Sequence, residues 1–182
     1  MNRVKAKQWI VISMLAALAM SSWGCSGDGS NLTVAPKVDA LAPGFTLTTL
    51  DGGTVELDGL RGQPVLLNFW TTGCPWCRYQ MPFLQAAFEE KGQEIKFIAI
   101  NLREGSDKVQ QYAKDEGLGF TVALDPDGTA ANAYNIRPIP ATFFIDEQGI
   151  IKYINIGAFM SQAELMAVLE DLFGDMGLEF AD

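Results

Sequence analysis

The sequence predicts an α/β domain on one mixed central β-sheet, with helices on both faces and an added β-hairpin at its N-terminal side. Three observations carry this. A continuous apolar run, Val65 to Trp70, leads into a segment of helical periodicity and then a second apolar run, Ile95 to Asn101. Two short strands and a capped helix follow, and alternating β-formers around a glycine turn precede everything else. Strands apolar on both sides suit the interior of a parallel sheet, and a βαβ half followed by a ββα half closes into one mixed sheet.

The hairpin is Phe45 to Leu50 and Thr54 to Leu57 around Asp51-Gly52-Gly53, a turn that tolerates the backbone angles hairpins need. After strand Val65 to Trp70 a helix runs to about Glu90, because Cys77, Met81, Leu84 and Phe88 recur at spacings of four, three and four and so share one face. Strand Ile95 to Asn101 comes next. Ser106 then caps a helix reaching about Glu116, which Gly117 and Gly119 end before a short strand, Phe120 to Leu124. Asp125-Pro126-Asp127-Gly128 reads as a turn; a calcium loop is the alternative, but its remaining spaced ligands are missing. A short helix, Thr129 to Tyr134, precedes strands Ala141 to Asp146 and Ile150 to Ile156. Ser161-Gln162-Ala163-Glu164 is a capping box opening the last helix, which ends near Phe173-Gly174.

The beginning of the chain reads as targeting rather than fold. Arg3, Lys5 and Lys7 precede an apolar run from Trp9 to Met20, and small residues lead to Gly24-Cys25, the pattern of a secretory signal over residues 1–24. Twelve apolar residues fall short of the roughly 20 that span a bilayer. Residues 25–40 read as a flexible tether and 41–182 as the folded domain. Cys25 and the polar stretch after it resemble a bacterial lipoprotein signal, in which cleavage leaves the cysteine lipidated and the protein anchored to the membrane. Ser22 and Trp23 depart from that pattern, and simple cleavage or a retained anchor are the other outcomes. All three place the domain outside the cytoplasm, where disulfides persist.

Without the first 24 residues, ten basic residues stand against 22 acidic, a net charge of −12. Such a field disfavours nucleic acid and anionic membrane surfaces and favours solubility or basic partners.

Chemistry concentrates in Cys74-Pro75-Trp76-Cys77. Cys77 lies on the apolar helix face and is expected to be buried. Cys74 lies one turn earlier, where free backbone N–H groups and the helix dipole favour a thiolate and lower its pKa below the usual value of about 8.5. A bridge closing so short a loop is a weak structural staple. A zinc site needs about four ligands, and the chain has no histidine and only one further cysteine, Cys25. The pair therefore reads as a reversible redox centre that requires no metal or organic cofactor.

These residues resemble the thioredoxin superfamily, and within it the TlpA/ResA-like extracytoplasmic thiol:disulfide oxidoreductases, a group related to AhpC/TSA proteins. The resemblance covers about residues 41 to 174. It rests on Ala42-Pro43-Gly44-Phe45-Thr46-Leu47, Asn68-Phe69-Trp70, the Cys74 to Cys77 motif, Pro82, and Ile136 to Phe144. It implies a thioredoxin-like fold and a cis Ile139-Pro140 bond whose backbone, with Pro75 and Trp76, receives an extended substrate. It also implies that Cys74 and Cys77 form the redox-active disulfide, exchanging with protein disulfides in the reducing direction. Electrons would come from a membrane thiol donor, with apocytochromes c among the possible substrates. Asn68 stands where thioredoxin has a buried aspartate and cannot act as a base. Glu104 falls where ResA-like proteins carry a glutamate, which implies proton transfer; the plain alternative is one more solvated carboxylate.

Two rivals use the same fold. A thiol peroxidase would carry proline and threonine in a P-x-x-x-T-x-x-C spacing, and here Thr71 fits while Leu67 occupies the proline position. A copper-carrying lipoprotein would need a histidine. A non-enzymatic binding module is the third reading, and it predicts that Cys74 resists alkylation after mild reduction.

Overall fold

The computed structural model describes residues 32–174, so the expected signal, Cys25 and residues 175–182 lie outside it. Seven strands form one sheet in the order β2-β1-β5-β4-β3-β6-β7. They are β1 (Thr46–Thr49), β2 (Thr54–Glu56), β3 (Val65–Trp70), β4 (Lys96–Leu102), β5 (Thr121–Asp125), β6 (Ala141–Ile145) and β7 (Ile151–Ile156). The helices are α1 (Pro75–Lys91), α2 (Ser106–Asp115), α3 (Thr129–Ala133) and α4 (Gln162–Phe173). β3, β4 and β5 run parallel, and the hairpin and the β6–β7 pair add antiparallel margins.

Two apolar layers sandwich this sheet. Alternate residues of β3 take opposite sides: Leu66 and Trp70 join Cys77, Met81 and Leu84 of α1, Val109 of α2 and Leu165 and Leu169 of α4. Val65, Leu67 and Phe69 join Phe45 and Leu57 of the hairpin region and Ala130 of α3. Every residue of β3 is buried, which is why its sequence shows no alternation. Helices thus cover both faces, three on one and α3 on the other.

Three local readings need correction. Ser106 is the first residue of α2 rather than its cap: Gly105 holds the cap position and no side chain closes the turn. Asp125 belongs to β5, not to a turn. Its fully buried carboxylate accepts the backbone N–H groups of Ala130 (3.2 Å) and Ala131 (2.9 Å), satisfying donors that a helix N-terminus leaves free. In the α4 capping box, Ser161 Oγ accepts from Glu164 N (3.2 Å), but the glutamate reaches back to Met160 N (2.8 Å) instead of Ser161 N.

The expected tether also ends early. Asp39 N donates to Ile151 O (2.9 Å), Ile151 N to Ala40 O (3.0 Å) and Ala42 N to Gly149 O (2.9 Å). Ala40 is buried, so the stretch before residue 41 covers the start of edge strand β7, whose free backbone groups would otherwise invite pairing with other chains.

Candidate active site

Strand register assembles the site at the C-terminal end of the parallel strands. β3 ends at Trp70, and the turn Thr71–Gly73 delivers Cys74 to the N-cap of α1. Phe69 pairs with Ala141, which brings Ile139 and Pro140, just ahead of β6, beside that turn. Trp70 pairs with Asn101, which brings the loop after β4, carrying Glu104, to its other side. Residues about 65 positions apart in the chain thereby meet at the sulfurs.

Cys74 and Cys77 are joined as a disulfide with Cα atoms 5.2 Å apart. Pro75 opens the helix, where its missing N–H costs no hydrogen bond. Cys77 N donates to Cys74 Sγ at 3.1 Å, a contact that helps hold negative charge on that sulfur once the bond is reduced. The two cysteines differ in exposure: Cys77 is 0% accessible, whereas Cys74 is half-buried. Cys74 Sγ also lies 3.8 Å from the Ile139 carbonyl oxygen, and the Ile139-Pro140 peptide is cis.

Around the exposed sulfur the surface is apolar. Trp76 is 57% accessible, Tyr79 45% and Met160 55%, with the Trp76 and Tyr79 rings edge to face at 5.9 Å. Tyr79 hydroxyl donates to Met160 O (3.2 Å), and Phe159 N donates to the buried Gln80 Oε1 (3.2 Å), so two successive residues of α1 hold the loop before α4. Trp70 is wholly buried and packs on Tyr112, whose other side faces the Arg78 guanidinium.

Glu104 is not a free loop carboxylate. Oε2 accepts from Thr72 N (2.6 Å) and Asn101 Nδ2 (2.8 Å); Oε1 accepts from Thr72 Oγ1 (2.7 Å) and Lys108 Nζ (2.6 Å). Burial pushes its pKa up, but the bonds from Lys108, Thr72 and Asn101 outweigh that and hold the pKa down at about 2. Asn68 donates to Thr142 Oγ1 (2.9 Å) across β3 and β6, and its own carbonyl oxygen is buried without a partner.

Thr72, Asn101, Lys108, Gln80 and Tyr79 were not expected at the site. Two signals pointed to them: a polar Asn101 closing an otherwise apolar strand, and Lys108 four residues after Glu104, the spacing of a helical ion pair.

A C-x-x-C disulfide at the head of a helix, on this sheet and beside a cis proline, defines a thioredoxin-fold thiol–disulfide oxidoreductase. The AhpC/TSA family profile matches residues 38–154, and the chain belongs to that family. It is 36% identical over 139 residues to the thiol-disulfide oxidoreductase ResA of Geobacillus kaustophilus, covering 76% of this chain and 79% of the relative. With ResA of Geobacillus thermodenitrificans it shares 32% over 174 residues, 94% of this chain and 97% of the relative. Among solved structures, a secreted disulfide oxidoreductase of Mycobacterium tuberculosis homologous to E. coli DsbE superposes with a TM-score of 0.64. That pair shares 32% identity over 70% of this chain and 95% of the other. A thiol:disulfide interchange protein of Chlorobium tepidum gives a TM-score of 0.66 at 26% identity, covering 72% and 94%.

Proposed function

We propose that this oxidoreductase reduces protein disulfides outside the cytoplasm. The observation that supports this most directly is the pairing of a half-buried Cys74, capping α1 beside the Ile139 carbonyl, with a wholly buried Cys77. In the reduced protein Cys74 thiolate attacks one sulfur of a substrate disulfide. A Cys74–substrate bond forms, and the other substrate sulfur leaves as a thiolate that takes up a proton. Cys77 then loses its proton and attacks Cys74 Sγ, so the second substrate sulfur leaves and the intramolecular disulfide described above is restored. Two electrons have passed to the substrate.

Pro75, Trp76, Ile139 and Pro140 are the residues proposed to face the substrate, the first two from the helix and the others from the opposite wall. Apocytochromes c are a substrate class, with a membrane thiol carrier returning the disulfide to dithiol. Residues 1–24 act as the export signal and Cys25 as the lipid attachment point; among the described residues no helix is long and apolar enough to cross a membrane. Leu67, at the position where a peroxidase would need proline, is buried inside β3.

Replacing Cys77 by Ser tests the route: substrate accumulates as a mixed disulfide on Cys74, and an unchanged pool of free substrate contradicts it. Equilibration with glutathione tests the direction. A reductase poises well below the glutathione couple, and a potential above it means an oxidase.

A further inference from the structure

The Glu104 carboxylate makes more hydrogen bonds than any other side chain among the described residues, and half of them go to one residue of the turn that leads into Cys74. A carboxylate offers about four acceptor positions, and here each oxygen already receives two donors. Thr72 supplies its amide and its hydroxyl, one to each oxygen. That turn has little else to hold it: Cys74 N reaches Thr71 O only at 3.4 Å. Arg103, immediately before Glu104, adopts φ +55°, a left-handed conformation uncommon for a side chain of its size. It reverses the chain at the end of β4, so that the carboxylate returns beneath Thr72 while Lys108 closes it off from the solvent side.

We propose that Glu104 is a positioning residue, a fixed strut that holds the Thr71–Gly73 turn and with it the Cys74 sulfur, locked by Lys108, and not a proton carrier for the cysteines. Lys108 of α2 is the charged side chain bonded to it; Asn101 of β4 and Thr72 are neutral, and the turn it grips leads into the two cysteines of α1. The depressed pKa of the carboxylate agrees with this filled geometry. To take a proton, the group would have to release a donor, and two of the four are the ones that fix Thr72. The inference rests on the reading of Cys74 and Cys77 as the exchanging pair.

The test uses full-chain protein carrying E104Q, T72V, T72S or K108Q. Two quantities are measured: the rate at which each reduced protein exchanges with a small disulfide between about pH 5 and 9, and the titration of the Glu104 carboxyl by NMR in both redox states. A strut predicts that E104Q slows exchange about tenfold and T72V about threefold, with the inflection of the pH–rate profile unmoved. T72S, which keeps the hydroxyl, restores the rate lost in T72V. K108Q raises the Glu104 pKa by about one unit or more, and the wild-type carboxyl stays ionised throughout in both states.

The proposal is overturned if E104Q shifts the inflection while T72V exchanges at the wild-type rate. It is equally overturned if the carboxyl of the reduced wild-type protein titrates above about pH 5. Should E104Q fail to fold, the Thr72 pair and the wild-type titration decide alone. Wild-type protein that exchanges with no small disulfide at all would defeat the redox reading itself, a result separate from either outcome for Glu104.

Discussion

Helix α1 presents two faces that share one backbone and almost nothing else. The inner face carries Cys77, Gln80, Met81, Leu84 and Ala87, all buried; the outer face carries Trp76 and Tyr79, exposed beside the half-buried Cys74. Because the helix period is 3.6 residues, two cysteines three apart at its first turn fall on either side of that divide. The sulfurs are therefore made chemically unequal by packing, before any charged group contributes. The lesson is that a redox pair can be built from an N-cap position and one core position of an ordinary amphipathic helix.

Substitutions on the two faces should separate cleanly. The largest effect is expected from C74S, which abolishes exchange, whereas C77S preserves the first attack and stalls at the mixed disulfide; gel mobility without reductant distinguishes them. On the inner face, Leu84→Ala removes a side chain that is 1% accessible and should lower unfolding stability by about 2–5 kcal/mol. Denaturant titration measures that loss.

Between these faces lies Glu104, whose effect depends on pH. Its folded pKa of about 2 lies below the ordinary value of 4.5, so the stabilisation is complete above the unfolded pKa. It is lost as pH falls from about 4.5 toward 2. A shift of that size corresponds to about 3 kcal/mol, and acid unfolding of E104Q should begin from lower stability but decline less steeply over that window. The smallest effect is expected on the outer face. Trp76→Ala should reduce the rate on protein disulfides by about three- to tenfold and the rate on a small disulfide by less, since only the larger substrate covers the exposed ring.

What the sequence disclosed follows the same division. Core periodicity was legible: the continuous run of β3 gave its bounds, and the spacing of Cys77, Met81 and Leu84 gave the buried face of α1. Pairings across the chain were not. Nothing local says that Asp125 caps α3, that Gln80 holds Phe159, or that Thr72 and Lys108 converge on Glu104, because each bond depends on strand register and loop return, not on neighbouring residues. The expected tether shows the same limit. Residues 33–40 are polar and proline-containing enough to read as a linker, and only the unpaired edge of β7 explains why they dock. The closeness of Ile139 to Cys74 was reachable through family resemblance alone; the register Phe69 to Ala141 now supplies its physical cause.

The central claim is the inequality of the two sulfurs, and alkylation of the reduced protein as a function of pH tests it most directly. The account predicts that Cys74 reacts with an inflection well below the free-thiol value of about 8.5, while Cys77 stays unmodified until the protein unfolds. Equal reactivity of both thiols, each ionising like free cysteine, would contradict it.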